Sequence, residues 1–499
     1  MLRKIRIALA TVFFLCITLL FLDFTGTFQL YFGWMAKVQF LPAVLGLNLV
    51  VIVLLLALTL VFGRIYCSFV CPMGVFQDIA AWFSRLFRKR NPYRYSKPKN
   101  VLRYAVLAVF IVLLVLGFGG LAALLAPYSS YGRIATNLFQ PLYIAGNNVL
   151  AGMAESRGNY DFYTVEYWMR GLPTMIVAVC SLVVVVVLAC VGGRTYCNTI
   201  CPVGTVLGFF ARFSWLKPYI DAEKCKSCGK CEKNCKAAAI HIAKGEVPSI
   251  DYSRCVVCGN CLDHCKFGSL TYGHPSKQNN SPKTEGNKPA DAGRRAFLTA
   301  TAVATGAALV KAQEVKVDGG LAAIEDKQIP ERQTKITPPG SLSARNLAQH
   351  CTACQLCVAE CPNQVLRPST DLKTFMQPEV SYERGYCRPE CTRCAEVCPA
   401  GAIKVISKED KSSTQVGHAV WVKKNCVPLT DGVECGNCAR HCPSGAIQMV
   451  PSDPNDEKSV KIPVVNTERC IGCGACENLC PARPFSAIYV EGHEVHKMI

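Results

Sequence analysis

Cysteine spacing constrains this chain more than any other feature. Two quartets stand close together: Cys225, Cys228, Cys231 and Cys235, then Cys255, Cys258, Cys261 and Cys265. Three thiolates at two-residue gaps can hold three corners of one [4Fe–4S] cube, and the fourth cysteine then ligates the neighbouring cube. Each quartet needs its neighbour, so the pair forms one two-cluster ferredoxin unit. Disulfides between cysteines three apart are strained. Zinc sites use separated pairs rather than three cysteines in succession. Lys236 and Lys266 follow the fourth cysteines, where the common run has proline. That alters the turn after the ligand and leaves the ligand set intact.

Four more quartets follow. They are Cys351, Cys354, Cys357 and Cys361; Cys387, Cys391, Cys394 and Cys398; Cys426, Cys435, Cys438 and Cys442; and Cys470, Cys473, Cys476 and Cys480. The second widens its first gap to three residues and the third to eight. Such insertions lengthen a ligand loop and keep four ligands. Without Cys426 the third quartet would have three. Pro362, Pro399, Pro443 and Pro481 follow the last cysteines and should end the ligand helices. The apolar runs 402–406 and 446–450 are expected to be short strands. The six quartets use 24 of 31 cysteines and predict six [4Fe–4S] clusters.

The remaining composition points to a membrane. Hydrophobic residues make up 51% of 499, and the mean hydropathy of +0.23 is too high for a wholly soluble protein. The formal charge is +19, but each cube with four thiolates carries roughly −2, so six would remove about twelve charges. The basic residues left over sit beside apolar segments, which favours a topology signal over nucleic-acid binding. Ile5 to Leu22, Val38 to Phe62, Val101 to Ala126 and Pro173 to Val191 are expected to span a bilayer. The loop from Arg85 to Arg103 carries eight Lys and Arg and should be cytoplasmic. Pro127 to Leu172 should then lie outside, with Tyr128, Tyr131, Tyr143, Tyr160, Tyr163, Tyr167 and Trp168 in an interfacial belt. Cys16, Cys180 and Cys190 read as small buried hydrophobes. Gly117 to Gly120 reads as helix packing within a span.

An internal repeat of 130 residues is legible: Gly63-Arg64-Ile65-Tyr66-Cys67, ending Cys71-Pro72-Met73-Gly74, returns as Gly193-Arg194-Thr195-Tyr196-Cys197, ending Cys201-Pro202-Val203-Gly204. The repeat should bring Cys67, Cys71, Cys197 and Cys201 together. Two readings stand: the four thiolates share a redox or metal site, or they are structural turns or a metal-free dithiol. No histidine precedes His241 and no Cys-x-x-Cys-His run occurs, so no haem is expected.

Residues 275–293 read as a flexible linker. Gly293-Arg294-Arg295-Ala296-Phe297-Leu298 and the Ala/Thr-rich run behind it resemble a twin-arginine export signal, with Val310-Lys311-Ala312 an acceptable cleavage site. Its internal position is unusual. The expected architecture is therefore an α-helical membrane domain of four spans with a two-fold repeat (1–220), joined to α+β ferredoxin-like domains. These comprise a two-cluster domain (221–273), a linker (274–350, export-like segment 293–312) and a four-cluster domain (351–499).

The first 272 residues resemble NapH-type membrane ferredoxins, and residues from about 293 onward resemble NapG-type four-cluster ferredoxins. The resemblance implies a fused quinol dehydrogenase of the bacterial inner membrane. Its two-cluster domain would be cytoplasmic and its four-cluster domain periplasmic. Its partners would be membrane lipid, the quinone pool and a periplasmic or membrane reductase. It also implies nested pairing, with the first C-terminal quartet sharing ligands with the fourth and the second with the third. Two other classes compete. One is a membrane polyferredoxin for assembly or regulation of a respiratory metalloenzyme, though such proteins carry a flavin-binding or C-terminal sandwich domain in place of four more quartets. The other is a ferredoxin subunit that only docks a catalytic partner. No carboxylate pair, nucleophile or dinucleotide loop stands out as catalytic.

Overall fold

The computed structural model describes residues 2–87, 93, 95–158, 160, 162–166, 170–243, 246–274 and 325–499. Part of the basic loop, Tyr167 and Trp168, the 275–293 linker and the export-like segment with its cleavage site lie outside the described residues.

Two of the expected spans are continuous helices, Leu2–Leu22 and Leu172–Gly192. In the second, only Thr174, Ala178, Val185 and Ala189 are buried. Their spacing puts them on one stripe facing the protein. Val183, Val184, Val187 and Val191 are half exposed or more. The helix thus buries one stripe and leaves the rest of its surface apolar and bare.

The other two expected spans are broken. Val38 to Phe62 becomes the helices Phe40–Leu45 and Leu49–Phe62, parted by Gly46, by Leu47 at φ 51° and by the Asn48 cap. Val101 to Ala126 becomes Asn100–Val115 and Gly119–Leu125, with Gly117 at φ 82°. The breaks have a packing cause. A Cβ on Gly46 would stand 3.0 Å from the Ala400 carbonyl, one on Gly119 2.7 Å from that of Ala348, and one on Gly120 2.2 Å from that of Phe375. The glycine run thus admits the C-terminal module instead of packing two spans. The surviving helices of 14 and 16 residues are about 21 and 24 Å long, short of a 30 Å hydrocarbon layer.

The expected outer loop is largely helix, running from Pro127 to Glu155 through a π turn at Ala135–Phe139. Tyr128 and Tyr131 are not interfacial. They are buried against Phe21, with ring centroids at 5.7 and 6.4 Å. The polar residues that make this stretch look solvated, Ser129, Arg133, Thr136, Asn137 and Gln140, are buried too. Cys180 is exposed on the outer face of its helix, and Cys16 and Cys190 are only half-buried.

The ferredoxin modules meet opposite ends of Leu2–Leu22. Arg3, at its start, pairs with Asp263 at 3.2 Å. Just past its end, Arg393 donates to the Thr25 carbonyl at 3.0 Å. Each module is built from short helices and two-stranded sheets, such as Lys217–Ile220 with Leu270–Gly273 and Ile447–Asp453 with Asp456–Val465. The expected strand at 402–406 does not form. Lys404 instead gives its single N–H to Gly340, an irregular segment.

Asp78 holds three parts of the molecule together. It accepts two bonds of 2.7 Å from the fully buried Arg194, one of 3.0 Å from Arg6 and one of 2.5 Å from Lys236. Lys236 is the residue that replaces the usual proline after Cys235. Asp78→Ala strands Arg194 and Lys236 as buried cations, at a cost of about 3–5 kcal/mol. The thermal midpoint of the purified protein should drop and protease should release the two-cluster module. An unchanged melting curve would contradict this role.

Candidate functional site: the iron–sulfur cradles

Four quartets share one backbone device. The residues on both sides of the second cysteine are left-handed: Ser227 and Gly229, Val257 and Gly259, Ala353 and Gln355, Gly472 and Gly474. Successive amides in such turns form a concavity that suits an anion. A one-turn helix then carries the third cysteine, as in Lys230–Lys233 and Ala475–Asn478. The quartets with widened gaps lack the device: Thr392 has φ −111° and Gly436 φ −175°. Gln355 takes a position held by glycine in three quartets, and its side chain receives a 2.8 Å bond from Asn137 of the N-terminal helical part.

The fourth cysteines cross over. One cavity is lined by Cys235, Cys255, Cys258 and Cys261, and another by Cys225, Cys228, Cys231 and Cys265. A third has Cys426, Cys435, Cys438 and Cys480, and a fourth has Cys442, Cys470, Cys473 and Cys476. In the remaining pair, Cys357 is close enough for its charge to interact with Cys351, Cys354 and Cys398, and less with Cys394, while Cys394 interacts with Cys387, Cys361 and Cys391. The C-terminal quartets therefore pair first with second and third with fourth. Nested pairing is overturned. The physical reason is local: hairpins at Leu366–Pro368/Pro378–Val380 and Ile447–Asp453/Asp456–Val465 fold each quartet back on its successor.

The donor sets fit [4Fe–4S] cubes. Four of them surround a hollow with four sulfurs, and backbone amides aim at crossover sulfurs: Ala239 to Cys235 at 3.2 Å, Ala446 to Cys442 and Ala487 to Cys480 at 3.3 Å. Among the described residues, no three such donors converge on one point as a mononuclear metal requires. Burial pushes the Cys231 and Cys438 thiols up to about 11 and Cys473 to about 12. Thiolates are stable there only against positive metal.

The repeated cysteines also come together. Cys201 is close enough to Cys67, Cys71 and Cys197 for their charges to interact, and all four are buried. Equivalent contacts link the two copies. Arg64 donates to the Cys197 carbonyl at 3.3 Å, and Arg194 donates to the Cys67 carbonyl. The last glycine of each motif makes room: a Cβ on Gly204 would stand 2.8 Å from Arg64 Nη2, and one on Gly74 2.7 Å from Arg194 Nη1. Gln77 donates to Cys197 Sγ at 3.1 Å, and Arg64 reaches Cys67 Sγ at 3.7 Å. Arg64 is fully buried, and its other bonds go to Asn198 and the Ser253 carbonyl, with no carboxylate partner among the described residues. The repeat offered the signal for these arginines and glycines, because they recur with the cysteines. Gln77 and Asp78 are not repeated, and only the structure identifies them.

Crossed ligation can be read by spectroscopy. Cys361→Ser should perturb the same electron paramagnetic signal as Cys387→Ser, and Cys398→Ser the same as Cys351→Ser. Coupling of Cys480→Ser to the Cys351 signal instead would restore nesting.

Comparison with known proteins adds the family. A 4Fe-4S binding domain family matches twice, at 44–90 and 174–219, which hold the repeated cysteines. A 4Fe-4S dicluster domain family matches 350–414 and 433–483, and a further 4Fe-4S binding domain family matches 218–241. The chain is 30% identical over 183 residues to the ferredoxin-type protein NapG of Escherichia coli, covering 33% of this chain and 77% of that protein. It is 30% identical over 165 residues to the methylamine utilization ferredoxin-type protein MauM of Methylobacillus flagellatus, 32% of this chain and 70% of that one. It is 25% identical over 179 residues to the ferredoxin-type protein NapF of Escherichia coli, 36% of this chain and all of that one. Sequence, cradles and relatives agree: the chain is an iron–sulfur electron-transfer polyferredoxin and belongs to the family of ferredoxin-type proteins that includes NapG and MauM.

Proposed function

We propose that this polyferredoxin is embedded in the bacterial inner membrane and moves electrons between the quinol pool and a reductase beyond it, through six [4Fe–4S] clusters and a further centre at the repeated cysteines. One observation carries the reading: two ferredoxin modules sit at opposite ends of a 21-residue apolar helix, about 30 Å apart along its axis. Bare apolar faces on Leu49–Phe62, Asn100–Val115 and Leu172–Gly192 support burial in lipid. The Arg/Lys-rich start of Leu2–Leu22 favours a cytoplasmic two-cluster module. The four-cluster module would then be periplasmic, and the twin-arginine-like segment gives it a route for folded export.

Bound cubes would supply one-electron carriers whose potentials follow burial and hydrogen bonding. The chain lines their cradles up in order. Arg64 joins the repeated cysteines to Ser253, two residues before Cys255. Arg133 is close enough to Tyr196 and to Cys354 for its charge to interact with both. The Cys387 amide donates to the Cys473 carbonyl at 2.9 Å, which abuts the two C-terminal pairs. The far cradle, of Cys426, Cys435, Cys438 and Cys480, lies beside exposed Leu429 and Val433, a surface suited to a reductase partner.

Two measurements test this. Reporter fusions after Gln313 and after Ile499 should report an external C-terminal half, and cytoplasmic signals at both points would end the export reading. Cys67→Ser and Cys201→Ser should each lower iron per chain while the module signals persist. Unchanged iron would leave the repeated cysteines as structural turns.

A further inference from the structure

A cavity of about 240 Å³ separates the helix Gln140–Glu155 from the loop that carries Cys361. Only one cysteine lines it, so it is not a cube cradle. Its apolar wall includes Phe24, Ile144, Val358 and Leu366. Phe24 lies just past the end of the apolar helix Leu2–Leu22, at the level where a lipid-soluble molecule would meet the module, and its ring is edge-on to Tyr163 at 5.9 Å.

Polar side chains line it too, among them Gln140, Glu166, Arg170, Glu360 and Gln364. Glu360 is 3% exposed, and its Oε1 has no hydrogen-bond partner among the described residues. Arg170 donates to Gln140 Oε1 at 2.9 Å, and Gln140 Nε2 is 3.5 Å from the Ala359 carbonyl. An unpaired buried acceptor costs roughly 1–3 kcal/mol and calls for a donor. A water could serve, but the apolar share of the lining favours a ligand that joins a flat apolar body to hydroxyl groups. A hydroquinone ring has that form. One hydroxyl can donate to Glu360, and the other oxygen faces the Arg170–Gln140 pair.

We infer that this cavity seats the ring of a quinol or quinone against the wall formed by Cys361, beside the first pair of C-terminal cradles. The inference rests on the quinol reading above and adds the place and the contacts. Gln140 and Arg170 orient the ring, Glu360 accepts its hydroxyl, and Phe24 and Ile144 cover its face.

The test uses the purified full-length holoprotein and the quinone-site probe heptyl-hydroxyquinoline N-oxide, followed by quenching of its fluorescence. Ile144→Trp and Ala359→Trp each fill the cavity. Probe affinity should fall by about tenfold or more in both, with iron per chain unchanged. A second measurement needs no variant: an azidoquinone photolabel on the wild type should mark peptides containing 140–144 or 358–366. Failure of the wild type to bind either probe would overturn the quinol reading and the cavity with it. Binding that survives both substitutions, or label confined to other peptides, would overturn the cavity alone and leave the quinol reading standing. Should a tryptophan variant lose iron, the photolabel position decides.

Discussion

The arrangement depends on one carboxylate whose side chain is only 15% exposed. Asp78 answers three cations drawn from the first helix, the second copy of the repeat and the two-cluster module. Each cation would be costly to bury alone. Together they leave the surroundings with an excess of positive charge, and Arg64 adds a buried guanidinium that has no acid of its own among the described residues. A low-dielectric interior amplifies such an imbalance. It offsets part of the burial that pushes the Cys71 and Cys197 thiols up. The same contacts that dock the module therefore tune the neighbourhood of the repeated cysteines.

The arginines also explain the shape of the repeat. Each copy ends its helix at a left-handed glycine, Gly63 at φ 79° or Gly193 at φ 67°, and the next residue sends its guanidinium across to the other copy. Neither half is complete without the other. The glycine after each Cys-Pro leaves the space that the crossing side chain fills. This reciprocal arrangement is what gathers four cysteines separated by 130 residues in sequence into one buried group.

The gathering of the cysteines was legible in the sequence because their spacing favours it: three cysteines at two-residue gaps leave the backbone few alternatives. Crossover pairing of the C-terminal quartets was not, because it depends on hairpins whose strands are short and weakly patterned. The broken spans were equally hidden. Hydropathy sees Val38 to Phe62 as one run, whereas Gly46 and Leu47 turn where the Ala400 carbonyl presses against the chain. The helix from Pro127 was masked by its own polar residues, which look solvated in sequence yet are buried in the fold. Lys236 was visible as a departure from the ferredoxin run, but its meaning required Asp78.

Gln355 holds a left-handed turn that three other quartets give to glycine, and its carboxamide is secured by Asn137 from the N-terminal helical part. A strained backbone persists where its surroundings hold it in place. The first cradle of the C-terminal module is thus completed by its own anchor. A docked module therefore holds that turn more firmly than a free one would.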